Sequence, residues 1–373
     1  MTETSGHTAQ ESLEPQESLE SIALIVGAIA FVVGAVVEMF LHWGESLDIA
    51  GRGSLGDFAA IGGAIAGVLA FVAGRVSLRR GRAALVAADE LVAPGAQLHW
   101  FDVAALALAH GLIALIGWVG AASVLERSFQ GAVVYPLPAA VLAGVALALT
   151  AYVCFLSAVR MTPLLLSLVL AAFLLVGALA SMLSSSDPLW WQKNLSALGI
   201  TKDVSSLAFN LTLIVAGLIV TIIARYATAG LPTTTRQQAR GRTVVRSGLV
   251  LIGIFLACVG IFPVSEFFML HNTVATGMAV AYAVVVIGLP WFIPSMPRVF
   301  VILGYVYVGV IVVLAVFFAT GYYNLTAVEL VAAVLIFSWI IVFLRNAGSV
   351  RPDQARMRRG PDAAASDPLL TVR

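Results

Sequence analysis

Apolar runs of close to twenty residues recur ten times along the chain, near 22–43, 57–78, 102–123, 134–158, 162–183, 204–225, 247–267, 270–291, 299–320 and 326–345. A helix rising 1.5 Å per residue needs about 20 residues to cross the roughly 30 Å hydrocarbon core of a bilayer. Inside that core a free N–H or C=O finds no water to bond, so each run is predicted to be a helix. The expected fold class is therefore all-α: a polytopic transmembrane helical bundle with about ten transmembrane helices.

The polar intervals divide the chain. Residues 1–20 are acidic, with ESLE occurring twice, and are expected to form a disordered N-terminal tail. They lack the Lys/Arg n-region and cleavage site of a secretory signal, so the first apolar run is expected to be retained. Residues 21–160 hold four of the predicted helices and 161–345 the other six; the seam lies near Arg160, where the fifth helix opens at Thr162-Pro163. Residues 346–373 carry an Arg cluster and are expected to be a disordered basic C-terminal tail.

Orientation follows from the basic residues. With an even number of spans, all but four of the 21 Lys and Arg side chains fall on the side of the termini; the exceptions are Arg52, Arg127, Lys193 and Lys202. By the positive-inside rule this places both termini in the cytoplasm of a multi-pass cell-membrane protein. Trp43, Trp190, Trp191, Tyr322 and Tyr323 then fall at the outer interface and Trp100 and Trp291 at the inner one, where amphipathic rings prefer to sit. The Arg-over-Lys bias and the abundance of Ala, Gly and Val suggest a bacterial plasma (inner) membrane.

Composition narrows the function classes. The chain is 60% hydrophobic and 11% charged, which in water would leave a vast greasy surface. The formal net charge of +1 gives no reason to expect nucleic acid as a partner. Membrane lipids are the expected partners, with a protein partner docking on small-residue helix faces as a further possibility. Cys154 and Cys258 lie inside apolar runs and are read as core side chains, without disulfide or metal spacing. No phosphate-binding loop, dinucleotide fingerprint, zinc motif or nucleophile elbow stands where its chemistry would need it. With five histidines scattered over different helices, neither a metal nor another cofactor is expected, and binding is favoured over catalysis.

The polar interval from Ser184 to Asn210 gathers Asp187, Trp190, Trp191, Lys193, Asn194, Lys202, Asp203 and Asn210. Asp187-Pro188 reads as an N-cap followed by a first-turn proline, and Gly199 as a stop, which predicts a short helix over 188–198 lying on the membrane surface. Thr201 or Asp203 then caps the sixth helix. Other polar groups are expected at the same level. Glu38, one turn below the outer end of the first helix, has His42 at i+4 as a partner. Glu266 and His271 flank the hairpin between the seventh and eighth helices, where a carboxylate and an imidazole can hold or exchange a proton. Glu329 is read into the first turn of the tenth helix, and Asn210 lies two turns into the sixth. Lys193, Asn194, Ser196, Asn210, Glu266, His271, Glu329 and Glu38 are thus the candidate substrate-binding residues of an outer polar pocket, with no catalytic residue among them. His110, at mid-membrane, is expected to make an interhelical hydrogen bond.

The order Asn194-Leu-Ser196-Ala-Leu198-Gly199, then Phe209-Asn210 opening a helix, then Phe262-Pro263 before His271, resembles the bacterial membrane family known as domain of unknown function 998. That family is grouped with the damage-regulated autophagy modulator and GPI-remodelling membrane proteins. The resemblance covers about residues 162–345. It implies a six-helix bundle with its distinctive loop outside and relatives concerned with lipid organisation, and the positions matching its pattern are Asn194, Ser196, Gly199, Asn210, Pro263 and His271.

The leading expectation is a membrane protein that binds or handles a lipid or cell-envelope component in the outer leaflet. The alternatives are a proton-coupled secondary transporter, with Glu38, His110 and Glu266 titrating, and a structural or accessory subunit of a membrane complex.

Overall fold

A computed structural model describes residues 4–87, 99–201, 204–229, 231, 233 and 235–358. Ten α-helices are present among the described residues: α1 Thr4–Leu41, α2 Leu55–Ala87, α3 Trp100–Ser128, α4 Pro136–Val159, α5 Pro163–Ser184, α6 Val204–Ala229, α7 Arg236–Ile261, α8 Phe268–Phe292, α9 Arg298–Ala319 and α10 Leu325–Arg358. Each is long and apolar enough to cross a membrane. Large apolar side chains such as Val299 and Met269 are about four-fifths exposed, a surface that lipid tolerates and water does not. The protein is a polytopic integral membrane protein.

Local chemistry explains the helix starts. Thr162 Oγ1 accepts the Leu165 N–H at 3.1 Å ahead of Pro163, whose missing N–H costs nothing in a first turn. Thr235 and Gln238 form a reciprocal capping box that starts α7 at Arg236. This helix departs from the expected 247–267 at both ends. Its arginine-bearing first turns, read from the sequence as connector, are helical, and it ends at Ile261 because Pro263 cannot continue it. Two further segments differ from expectation. The acidic segment read as a tail is helical from Thr4, its Glu, Gln and Leu being ordinary helix formers. Likewise α10 runs on to Arg358, and the rest of the basic tail lies outside the described residues.

The chain divides into two compact units that do not follow a single cut. The first comprises Met1–Leu165, Ala172–Ser185 and Lys202–Ala216, the second Leu166–Ala171, Ser186–Thr201 and Gly217–Arg373.

In the first unit α4 is the hub. Both α1 and α2 pack along it, and α3 packs on α2. Helices α1 and α4 approach closely because glycines meet: a Cβ on Gly144 would stand 2.9 Å from the Phe31 carbonyl, and one on Gly34 would stand 2.8 Å from Leu147. A two-residue antiparallel ladder, β1 (Leu47–Asp48) with β2 (Val133–Val134), ties the α1–α2 loop to the α3–α4 loop. Two buried polar side chains inside the bundle, Trp118 and His110, are paired across helices. Trp118 Nε1 donates to Thr150 Oγ1 at 3.0 Å. His110 meets the Leu106 carbonyl through Nδ1 at 2.7 Å and Ser157 Oγ through Nε2 at 2.8 Å, the interhelical bond expected of it. Because α1 and α2 scarcely touch each other, a groove of about 700 Å³ opens between them, lined by apolar side chains from Val26 to Leu41 and Phe58 to Ala73 and floored by Leu147 and Ala151.

In the second unit α7 packs on α8, and α9 joins α8 and α10. Gly217 and Gly253 let α6 and α7 touch backbone to backbone; a Cβ on Gly253 would lie 2.6 Å from the Gly217 carbonyl. The core of α8, α9 and α10 is aromatic. Trp339, fully buried, stacks on Phe300 and Phe343 at centroid distances of 5.2 and 5.4 Å and receives the edge of Tyr282 at 5.6 Å.

Candidate functional site

The segment Ser186–Thr201 belongs wholly to the second unit and folds over the ends of α8 and α10. Asp187 behaves as its position demands. Its Oδ1 accepts the Leu189 N–H at 2.9 Å, and its Oδ2 draws back Lys193 Nζ at 2.9 Å. That hydrogen bond from Lys193 is the main reason the Asp187 carboxyl is held below its ordinary value, with the Leu189 N–H adding to it.

A continuous helix over 188–198 does not form. Two 3-10 turns, Trp190–Gln192 and Leu195–Gly199, are separated by Lys193 and Asn194, the latter fully extended at φ −161° and ψ 164°. The break has a cause. An α-helix would commit the Leu195 N–H to a carbonyl four residues back, whereas here it donates to Glu329 Oε2 at 2.6 Å. Glu329 is the fifth residue of α10, in its second turn rather than the first, so its carboxylate reaches the loop instead of serving its own helix terminus.

Ser196, one residue on, meets His271. The ring Nδ1 lies 2.7 Å from the Phe262 carbonyl, which can only accept, so Nδ1 carries a proton and donates. The other nitrogen, Nε2, is 3.0 Å from Ser196 Oγ; in the neutral ring it accepts the hydroxyl proton. His271 is 4% exposed. The Phe262 carbonyl that holds it is freed by the α7 end at Pro263, which is why the Phe-Pro step and the histidine act together.

Asn194 completes the group. Its Oδ1 is buried with no hydrogen-bond donor, an acceptor left unsatisfied beside a pinned backbone. The Thr326 hydroxyl oxygen, in the first turn of α10, is buried and likewise has no partner. Trp190 is half-buried, and Trp191 and Leu189 are about half exposed, so the loop carries an apolar fringe around its polar centre.

Of the eight candidate residues, then, Asn194, Ser196, His271 and Glu329 come together in one place. Lys193 stands beside them at the surface, tied to Asp187. Glu266 does not join: it is exposed, and the partners of the His271 ring are Phe262 and Ser196 instead. Glu38 and Asn210 belong to the first unit. Glu38 is 1% exposed, and its expected neighbour His42 lies 3.7 Å away, too far for a hydrogen bond to either carboxylate oxygen. Lys202 and Asp203 lie outside the described residues.

One contributor went unread in the sequence. Asn324 Nδ2 donates to the Trp191 carbonyl at 3.1 Å while its Oδ1 accepts the Ala327 N–H at 3.0 Å. It caps α10 and fastens the loop with one side chain. The signal was present as an Asn immediately before an apolar helix.

Among the described residues no three His, Cys, Asp or Glu side chains gather as metal ligands would. The groups assembled here suit hydrogen bonding: an oriented imidazole with its serine, a carboxylate, and an amide oxygen lacking a donor. Compared with protein-family models, curated proteins and solved structures, the chain shows no match to any.

Proposed function

We propose that this protein binds or handles a lipid or cell-envelope component in the outer leaflet, with its polar head group received under the segment 186–201. The observation that carries the reading is the buried, donor-less Oδ1 of Asn194, set beside the fixed Ser196–His271 pair and the Glu329 carboxylate. A buried acceptor without a donor costs free energy on the order of 1–3 kcal/mol, which a ligand hydroxyl or ammonium group would recover. Trp191 and Leu189, half exposed on the same segment, suit the level of lipid head groups.

The segregation of basic residues supports placing this segment outside and the termini in the cytoplasm of a bacterial cell membrane. The resemblance to the domain of unknown function 998 family points the same way, since three of its matching positions, Asn194, Ser196 and His271, are among the converging residues. A proton-coupled transporter draws little support by comparison, because both ring nitrogens of His110 are engaged in hydrogen bonds. The test is lipid analysis of a deletion strain complemented with Asn194→Ala or His271→Ala. The reading predicts that neither variant restores the wild-type lipid profile although both reach the membrane, and full rescue by both would refute it.

A further inference from the structure

A second groove, in the first unit, differs from the wholly apolar one between α1 and α2. It has a volume of about 360 Å³, within the roughly 300–1,000 Å³ range of ligand clefts. Its walls are Leu112, Leu115, Ile116 and Val119 on α3, Leu183 on α5, and Leu207 and Leu211 on α6. One end is polar, formed by Arg127 with Ser123 and Ser184. Arg127 lies in the last turn of α3, and Ser184 is the last residue of α5. The polar end is therefore at the helix termini, the level of head groups, and the apolar wall descends from there.

We infer that this groove holds one acyl chain of an anionic phospholipid, its phosphate at Arg127. Three observations support that occupant. First, the lining is amphipathic in the order a lipid requires, with a cation at the mouth and aliphatic side chains below. Second, Arg127 is exposed and has no ion pair among the described residues, whereas Lys193, on the same side of the membrane by charge segregation, is neutralised by Asp187. The neighbouring Glu126 does not share its helix face, since residues i and i+1 diverge. Third, the wall from Arg127 to Leu112 is sixteen residues of helix, about 22 Å from end to end, enough for the roughly 15 Å depth of one leaflet. The two serines leave oxygen lone pairs at the mouth, their protons being given to Val119 and Ala180 carbonyls. This site is separate from the one under segment 186–201 and does not depend on it.

Gly120 provides the means to test the groove. It lines the cavity, and a Cβ built on it meets nothing within 4 Å, so a large side chain there enters empty space rather than a packed core. The full-length protein would be reconstituted in nanodiscs of equimolar phosphatidylglycerol and phosphatidylcholine, and the phospholipid retained through detergent washing counted by native mass spectrometry. The wild type is expected to retain phosphatidylglycerol over phosphatidylcholine. Arg127→Gln should lose that preference by roughly fivefold, the ~1 kcal/mol that one basic residue contributes toward an anionic surface. Gly120→Phe should abolish retention of both lipids while the thermal unfolding midpoint stays at the wild-type value. Retention indifferent to Arg127→Gln overturns the inference, because a chain of the ordinary lipid annulus needs no cation. Retention indifferent to Gly120→Phe overturns it too. So does displacement of the lipid by soluble glycerol phosphate at equal concentration, which would leave the groove without a role.

Discussion

Leu195 donates its backbone N–H to Glu329 Oε2 at 2.6 Å, joining a loop to a helix 134 residues later in the chain. The bond decides the shape of the loop, since a helix through 188–198 would have spent that N–H internally. Glu329→Ala should therefore release the segment. A single hydrogen bond of this kind is worth about 1–2 kcal/mol, so amide exchange at Leu195 should quicken by about tenfold. Glu329→Gln retains an acceptor and should recover most of the protection.

Ser196 and His271 act as one unit and should show it energetically. Ser196→Ala leaves Nε2 without a donor, and His271→Ala leaves the Phe262 carbonyl without one. Each is expected to destabilise by about 1–3 kcal/mol. The double variant should cost less than the sum of the two, with a coupling of about 0.5–2 kcal/mol measured by denaturant unfolding in detergent micelles.

Much of this was legible in the sequence. The ten spans follow from run length alone, because in a bilayer the backbone has no alternative to the helix. The chain also offered His271, Ser196 and Asn194 as site residues. What it could not give was the pairing. Glu266 lies five residues from His271 and was the natural partner along the chain, yet the end of α7 turns the Phe262 carbonyl to the ring and leaves Glu266 exposed. Glu329 was read both as a partner of its own helix terminus and as a site residue, but nothing local says that a loop N–H will arrive from outside. Asn324 was passed over because its capping role also serves a distant carbonyl. Contacts of this kind depend on tertiary placement, which periodicity does not encode.

Packing makes a prediction that is independent of the site. Gly177 faces Thr212 and Gly253 faces the Gly217 carbonyl with no room for a methyl group, whereas Gly117 faces open space. Gly177→Ala and Gly253→Ala should each lower stability by about 1–3 kcal/mol through overpacking. Gly117→Ala should be neutral or slightly stabilising, given the helix preference of Ala. Unfolding midpoints of the three variants check this.

The Asp187–Lys193 pair predicts a pH response. The folded carboxyl sits below its unfolded value, chiefly because of the Lys193 hydrogen bond. Its contribution to anchoring the loop is thus fully present above the unfolded value of about 3.9 and is lost as pH falls through the lower folded value. From pH 8 to 5 the pair should be indifferent to acid. The carboxyl chemical shift of labelled Asp187 should titrate below about 3.9 in the wild type. In Lys193→Ala the midpoint should move up.

A lipid-binding role at segment 186–201 requires that segment to face the outer leaflet, opposite the arginine-rich side. Exposed Gln192 and Gln237, each replaced by cysteine in a chain freed of Cys154 and Cys258, report on the two sides. With a membrane-impermeant thiol reagent on intact cells, Gln192→Cys should label at once and Gln237→Cys only after permeabilisation. Labelling of Gln237→Cys in intact cells, with Gln192→Cys protected, would contradict the account.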